Sequence, residues 1–256
     1  MSVNFRILEM QKFNFKFFLI IFILGLAGVA SLLLSDLDLA GMAVELPEEI
    51  SPELLRFLVL INPFLLVLAA SLVGTLLHQK VNLHAPVLKS LVTKKQSDFN
   101  VKNIVVKGLL GGFVAAILIL IINTLFTPFI SEKLIHADER FNLHFLTKIL
   151  YGGVSEEIIA RFGVMTFLVW LWSKITESLA NPVYWTAILL SALVFALGHL
   201  PAAFQLDESL SMMSVIYLIT GNMAGGIIFG YLYWKNGLES AIIAHAFTHV
   251  VLQLVL

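Results

Sequence analysis

Seven long apolar runs divide the chain, and they constrain its fold more than any other feature. Each is close to the ~20 residues that a helix needs to cross the hydrocarbon core of a bilayer. Hydrophobic residues make up 59% of the chain and charged residues only 13%, which excludes an ordinary soluble domain. The sequence therefore predicts an all-α, polytopic bundle of about seven transmembrane helices. The runs cover residues 15–35, 54–77, 104–126, 145–172, 182–204, 211–233 and 237–256.

Basic residues collect on one side of these runs. Between the second and third runs lie Lys80, Lys89, Lys94, Lys95, Lys102 and Lys107, and before the first lie Arg6, Lys12 and Lys16. The first loop on the other side is acidic, with Asp36, Asp38, Glu45, Glu48 and Glu49. By the positive-inside rule, we expect a multi-pass protein of the cell membrane with a cytoplasmic N-terminus and an external C-terminus.

Composition also limits the chemistry. No basic stripe lies outside the short loops, so we expect no nucleic-acid partner. The chain has no cysteine, which excludes disulfides and thiolate ligands, so catalytic or metal chemistry must use His, Glu, Asp, Ser, Thr or Asn. Glycines four residues apart predict close helix contacts in lipid. These pairs are Gly108 with Gly112, Gly221 with Gly225, and Gly226 with Gly230.

Three charged residues interrupt the fourth run. The stretch YGGVSEEIIARFG, which begins at Tyr151, contains Glu156, Glu157 and Arg161. Charged groups inside a bilayer cost at least a few kcal/mol, so they normally face a cavity or the bundle interior and mark a site. The alternative is a helix that begins later, with both glutamates in its first turn, where the helix dipole favours acids.

Helical spacing separates the roles of these residues. Glu157 and Arg161 are four residues apart and share a helix face, which predicts an ion pair. Glu156 points about 100° away on the same turn. We therefore expect Glu157 to be held ionised by the arginine, while the less compensated Glu156 can carry a proton.

Three histidines interrupt later runs. His199 lies near the end of the fifth run, and His245 and His249 lie four residues apart on one face of the last run. Two imidazoles at this spacing can bind one ion or one water. Depth along the runs allows the glutamates and these histidines to meet in the outer half of the bundle. The other histidines lie in or beside loops and are expected at the surface: His78, His84, His136 and His144.

The order of these elements resembles a known family. EExxxR (Glu156, Glu157, Arg161), FxxxH (Phe195, His199) and a C-terminal HxxxN-like element (His245, His249) resemble the CPBP intramembrane proteases. That family includes the type II CAAX prenyl endopeptidases and the bacterial Abi proteins. The resemblance covers residues from about 151 to 256. At the last position the family usually has Asn or Asp, whereas this chain has His249.

The resemblance implies an intramembrane endopeptidase that uses a Glu-activated water. It implies Glu156 as general base and later acid, with His199 positioning the water. Glu157, His245 and His249 would complete the pocket or stabilise the oxyanion, and Arg161 would hold the glutamates in place. Zinc is possible but not required, and its ligands would be Glu156, His199, His245 and His249.

The expected partners are the lipid bilayer and a membrane-associated peptide or protein, with or without a lipid modification. We divide the chain into N-terminal helices with a basic cytoplasmic loop, residues 1–143, and a CPBP-like catalytic helical core, residues 144–256. Two alternatives remain open at this point. A protease fold can persist as a non-catalytic binding or immunity protein, and intramembrane Glu, Arg and His also occur in ion-coupled transporters.

Overall fold

The computed structural model describes residues 13–35, 51–93, 99–135 and 141–255. Within these ranges all regular structure is helical, which confirms the predicted all-α bundle. The α-helices are Phe15–Ser31, Pro52–Leu58, Ile61–Leu77, Pro86–Thr93, Val101–Phe126, Glu132–Ile135, Phe145–Thr147, Thr166–Thr176, Asn181–Gly198, Leu200–Leu206, Met212–Asn236 and Leu238–Val255. Short 3₁₀ turns cover Leu32–Leu34, His78–Val81 and Thr127–Phe129.

Seven helical stretches in the described ranges are long and apolar enough to cross a membrane, as predicted. The chain is therefore an integral, multi-pass membrane protein. In chain order the spans are Phe15–Leu34, Glu53–Val81, Val101–Phe129, Phe145–Thr176, Asn181–Leu206, Met212–Asn236 and Leu238–Val255. Several residues used for the topology prediction lie outside the described residues: Arg6, Lys12, Asp36, Asp38, Glu45, Glu48, Glu49, Lys94 and Lys95, as does His136.

Polar caps define where several spans begin. The Asn14 side chain accepts a hydrogen bond from the backbone N–H of Phe17, and Asn100 caps the third span in the same way. Ser51 and Ser211 cap the helices that begin at residues 52 and 212. The first backbone N–H groups of a helix have no partner inside it, so these side chains satisfy donors that would otherwise face the membrane interface unpaired.

The fourth span is wound as a π-helix over most of its length. Lys148–Glu156 and Ile158–Met165 are π-helical, between α-helical turns at Phe145–Thr147 and Thr166–Thr176. π-Helices are rare and occur mostly as single turns inside α-helices, frequently at functional sites. Because this helix begins at residue 145, the acidic pair lies well inside the span. The alternative of a late helix start is therefore wrong.

The fourth span lies between the N-terminal and C-terminal spans and contacts both. On one side, the hydroxyl of Ser155 donates to the carbonyl oxygen of Gly25 at 2.8 Å, and that of Thr147 donates to Ser31 at 2.6 Å. On the other side it packs along the seventh span. Hydrogen bonds between buried groups fix the axial position of one helix on another, so the first span holds the fourth span in register.

Two of the three predicted glycine pairs lie where helices approach closely. A Cβ atom at Gly108 or Gly112 would meet the seventh span, and one at Gly226 or Gly230 would meet the fifth. The third pair was interpreted wrongly, because no neighbouring atom lies within 4 Å of a Cβ built at Gly221. Gly221 lines an open space instead, and a four-residue spacing cannot distinguish these two uses.

We expect Gly112→Ala to destabilise the bundle. The added methyl group would meet the backbone of Ala244, which cannot move aside without separating two spans. Such overpacking typically costs about 1–3 kcal/mol. Gly198→Ala is the matched control, because nothing lies within 4 Å of its added methyl group. Unfolding of the purified protein in mixed micelles measures both variants, and equal stabilities would contradict the expected close contact.

His78 corrects a prediction made from its position near a loop. Its side chain is buried, with a ring nitrogen, Nδ1, 2.8 Å from the carbonyl oxygen of Gly74. The ring stacks on Phe17 at 5.1 Å and contacts Phe162 at 5.4 Å. The prediction of a surface residue is wrong here because the helix continues past the apolar run as a 3₁₀ turn, which turns the ring inward. His84 and His144 are exposed, as predicted.

Candidate active site

A cavity of about 450 Å³ lies between the spans, and every predicted site residue except Glu157 and Arg161 lines it. These lining residues are Glu156, His199, His245 and His249. They come from the fourth, fifth and seventh spans, which meet as predicted from their depth. Most other lining residues are apolar, and they include Ile119, Ile122, Phe195, Leu218, Phe229 and Leu252.

The cavity lies toward one end of the bundle. Leu32 is near the end of the first span, Lys148 near the start of the fourth, and Leu252 near the end of the seventh. Because successive spans run in opposite directions, these positions lie at the same end. The exposed lysines Lys80 and Lys89 lie at the other end, Lys80 at the end of the second span and Lys89 in the connection to the third span.

Glu157 and Arg161 form the predicted ion pair, and it is fully buried. Arg161 Nε donates to Glu157 Oε2 at 3.2 Å, and neither side chain has exposed surface. The guanidinium carbon lies 5.3 Å from the ring centre of Phe195, so the charge also contacts an aromatic face. Arg161 Nη1 and Nη2 have no hydrogen-bond partner among the described residues. The pair lies directly behind the cavity wall.

Glu157 also fixes His245. Its second oxygen, Oε1, lies 3.0 Å from His245 Nδ1. A carboxylate that is paired with arginine accepts hydrogen bonds, so His245 Nδ1 donates to it, and Nε2 presents a lone pair in the form of the ring that carries one proton. That Nε2 lies 3.9 Å from Glu156 Oε2. Glu157 therefore has a committed partner on each oxygen, whereas Glu156 remains partly open to the cavity, with 20% of its side chain exposed.

His199 is oriented by its own helix. Its Nδ1 lies 2.8 Å from the carbonyl oxygen of Phe195, four residues earlier. Because a carbonyl oxygen only accepts, Nδ1 donates, and Nε2 presents a lone pair in the form of the ring that carries one proton. The ring also contacts the edge of Phe195 at 4.6 Å. The FxxxH element thus uses both the backbone and the side chain of Phe195 to orient the imidazole.

His249 completes a stack of three rings. Its ring lies 5.0 Å from that of His245 at an interplanar angle of 20°, and His245 stacks on Phe229 at 4.6 Å. Gly152 leaves room for this imidazole, since a Cβ there would lie 2.6 Å from His249 Nε2. That nitrogen is buried and has no hydrogen-bond partner among the described residues. The residue in the family's Asn or Asp position is therefore held by stacking.

The donor set does not fit a zinc ion as it is arranged. Zinc needs lone pairs that converge on one point about 2.0–2.1 Å from each imidazole nitrogen. The nearly parallel rings of His245 and His249 do not aim at a common point, and His245 Nδ1 is committed to Glu157. Across the described ranges, no three or more His, Asp or Glu side chains are grouped so that they could hold a metal ion.

The lining residues that were not predicted from the sequence include Phe229, Tyr151 and Asn222. Phe229 stacks on His245, Tyr151 lies on the same span as Glu156, and Asn222 lies on the sixth span. In the sequence, nothing distinguishes Phe229 from the other apolar residues of its span. Tyr151 is five residues before Glu156, a spacing that puts the two on one face only in a π-helix. An α-helical interpretation therefore has no signal for it.

Comparison with known proteins agrees with the motifs. Residues 139–251 match the family model described as "Type II CAAX prenyl endopeptidase Rce1-like". No curated protein and no solved structure matches the chain significantly. The matched region contains Glu156, Glu157, Arg161, His199, His245 and His249. Residues 139–251, which supply most of the cavity lining, thus carry the sequence pattern of the Rce1-like type II CAAX prenyl endopeptidases, a family of intramembrane proteases.

Proposed function

We propose that the protein is an intramembrane endopeptidase that hydrolyses a peptide bond of a membrane-associated protein or peptide. The observation that carries this proposal is the convergence of Glu156, His199 and His245 from three spans on one cavity. Two further features support it. Glu156 is the one carboxylate of the adjacent pair that is open to the cavity, and the family match is to peptidases.

In the proposed reaction, Glu156 removes a proton from a water molecule that His199 Nε2 orients by accepting its second hydrogen. The hydroxide oxygen attacks the carbonyl carbon of the scissile peptide, and the carbonyl oxygen becomes an oxyanion. The C–N bond then breaks, and Glu156 returns the proton to the leaving amine. The products are a new carboxyl group and a new amine, and the glutamate ends as it began.

Glu157 and Arg161 act as positioning residues in this proposal. Both oxygens of Glu157 are engaged, one by Arg161 and one by His245, so this carboxylate is not available as a base. Its role is to hold His245 at the cavity wall with Nε2 facing Glu156. His249, stacked on His245, limits the rotation of that ring and so stands in for the family's usual Asn or Asp by packing.

The cavity supports a substrate with apolar side chains. Its wall is mainly aliphatic and aromatic, and the basic connection lies at the opposite end of the bundle. By the positive-inside rule, we propose that the protein lies in the cell membrane with its N-terminus in the cytoplasm, so that the cavity opens toward the external face. The substrate can carry a lipid modification, which the surrounding bilayer would accommodate.

Isotope incorporation tests hydrolysis directly. The wild-type protein is reconstituted in liposomes with a library of internally quenched apolar peptides, in water enriched in ¹⁸O. Hydrolysis places a single ¹⁸O atom in the new terminal carboxyl group of each cleaved peptide, which mass spectrometry detects. Products without the label would contradict a water-dependent reaction. Intact peptides throughout would favour the non-catalytic binding or immunity protein and refute the proposed enzyme.

We expect activity to survive metal removal, because the histidine nitrogens do not converge on one point. The protein is dialysed against a strong chelator until elemental analysis finds no zinc, and peptide cleavage is then measured. The expected rate equals that of the untreated protein. Loss of cleavage that added zinc restores would show that Glu156, His199, His245 and His249 rearrange around a metal, and that the metal-free mechanism is wrong.

A further inference from the structure

The face of the fourth span that lines the cavity repeats at intervals of four or five residues. Its lining residues are Thr147, Lys148, Tyr151, Gly152 and Glu156. In an α-helix, with 3.6 residues per turn, Tyr151 and Glu156 would point about 140° apart. In a π-helix, with about 4.4 residues per turn, the angle falls to about 50°. The observed winding therefore brings the tyrosine to the same wall as the proposed base.

Three of the four hydroxyl groups among the described residues that line the cavity already donate hydrogen bonds. Thr147 donates to the carbonyl oxygen of Ser31 at 2.6 Å, and Thr248 donates to that of Ala244 at 2.9 Å. The Tyr217 hydroxyl donates to an Asn123 side-chain oxygen at 3.2 Å. The fourth hydroxyl among the described residues that line the cavity is that of Tyr151, and it makes no hydrogen bond to another described residue. The Tyr151 hydroxyl is therefore available to donate a hydrogen bond to a ligand in the cavity.

Peptide hydrolysis is faster when a hydrogen-bond donor lies beside the carbonyl oxygen of the scissile bond. Negative charge develops on the carbonyl oxygen, and hydrogen bonds aimed at it are a large source of rate acceleration. In the singly protonated form of each ring, His199 and His245 have used their N–H groups on Phe195 and Glu157, so their remaining nitrogens accept rather than donate. In that form these two rings can orient a water but cannot donate a hydrogen bond to the oxyanion, and the unpartnered Nε2 of His249 is buried.

We propose that the Tyr151 hydroxyl donates a hydrogen bond to the carbonyl oxygen of the scissile peptide bond and strengthens that bond as the oxyanion forms. The inference rests on the proposed function and adds a catalytic residue to it. Tyrosine keeps its proton throughout, so no covalent step is added. Its contact is with the reacting oxygen, and not with the base or with the substrate side chains.

Tyr151→Phe removes only the hydroxyl. We expect kcat to fall about 10²–10³-fold, as for the loss of a single oxyanion donor, with little change in KM and in melting temperature. Tyr231→Phe is the matched control, since this exposed tyrosine on the sixth span does not line the cavity, and its kcat should equal that of the wild type. The substrate is the apolar quenched peptide that the wild type cleaves fastest.

A binding measurement separates the oxyanion role from a structural one. In the Glu156→Gln background, Tyr151→Phe should leave the Kd of the uncleaved peptide unchanged and weaken a peptidyl phosphonate, which mimics the tetrahedral oxyanion, by about 10²-fold. Equal phosphonate affinities, or an unchanged kcat in Tyr151→Phe, would overturn the inference while leaving the proposed function intact. A wild-type protein that cleaves no peptide would overturn both.

Discussion

Replacing Glu156 with glutamine is expected to lower the rate of peptide cleavage about 10²–10⁴-fold, the range that a positioned general base supplies. Glutamine keeps the size of the side chain and cannot take a proton from water. Because 20% of the side chain is open to the cavity and glutamine has the same shape, the melting temperature should change little. Initial rates of wild type and variant in liposomes measure the effect.

The matched control is Glu208→Gln, which removes the same charge from an exposed residue outside the cavity. Its cleavage rate should equal that of the wild type. A Glu156→Gln variant that retains most of its activity would show that another group activates the water. The inactive variant also serves to find substrates, because membrane proteins that accumulate in cells expressing it, compared with wild-type cells, are candidates for direct cleavage.

Arg161→Met is expected to lower the free energy of unfolding by about 3–5 kcal/mol, the usual cost of leaving one member of a buried ion pair without its partner. Both side chains of the pair are fully buried, so no solvent can replace the guanidinium beside Glu157. The loss of the contact with Phe195 adds to the cost. Equilibrium unfolding in mixed micelles measures it.

Two further variants identify the cause. Lys174→Met removes an exposed positive charge from the same span and should change stability little. The double variant Glu157→Gln/Arg161→Met removes both charges, and we expect it to be more stable than the sum of the two single effects predicts. Additive losses would contradict a coupled pair and would place the cost in packing alone.

The sequence was sufficient to predict the spans and the pairing of Glu157 with Arg161. Spans follow from length and hydropathy alone. A charged residue inside a span normally faces the bundle interior and pairs with another polar group. The cost of intramembrane charge therefore predicted that Glu156, His199 and His245 would share a cavity. That prediction needed no detail of side-chain packing, because exposing these polar groups to lipid would cost too much free energy.

The rest depended on geometry that residue types do not encode. The π winding of the fourth span is invisible to an analysis that assumes 3.6 residues per turn, so Tyr151 was missed. Hydropathy did not show that His78 turns inward to Gly74, because the 3₁₀ turn that carries it lies at the edge of an apolar run. Gly221 lines a cavity where a contact was predicted, since spacing alone does not reveal which helix face has a neighbour.

The broad winding of the fourth span also determines how charge is distributed with depth in the bilayer. A wider turn holds more residues and advances less per residue than the 1.5 Å of an α-helix, so more side chains share one level. Glu156, Glu157 and Arg161 consequently occupy a thin slice of the membrane. Of the three, only Glu156 has exposed surface, and that surface faces the cavity, so water has to reach the bundle interior at one level only.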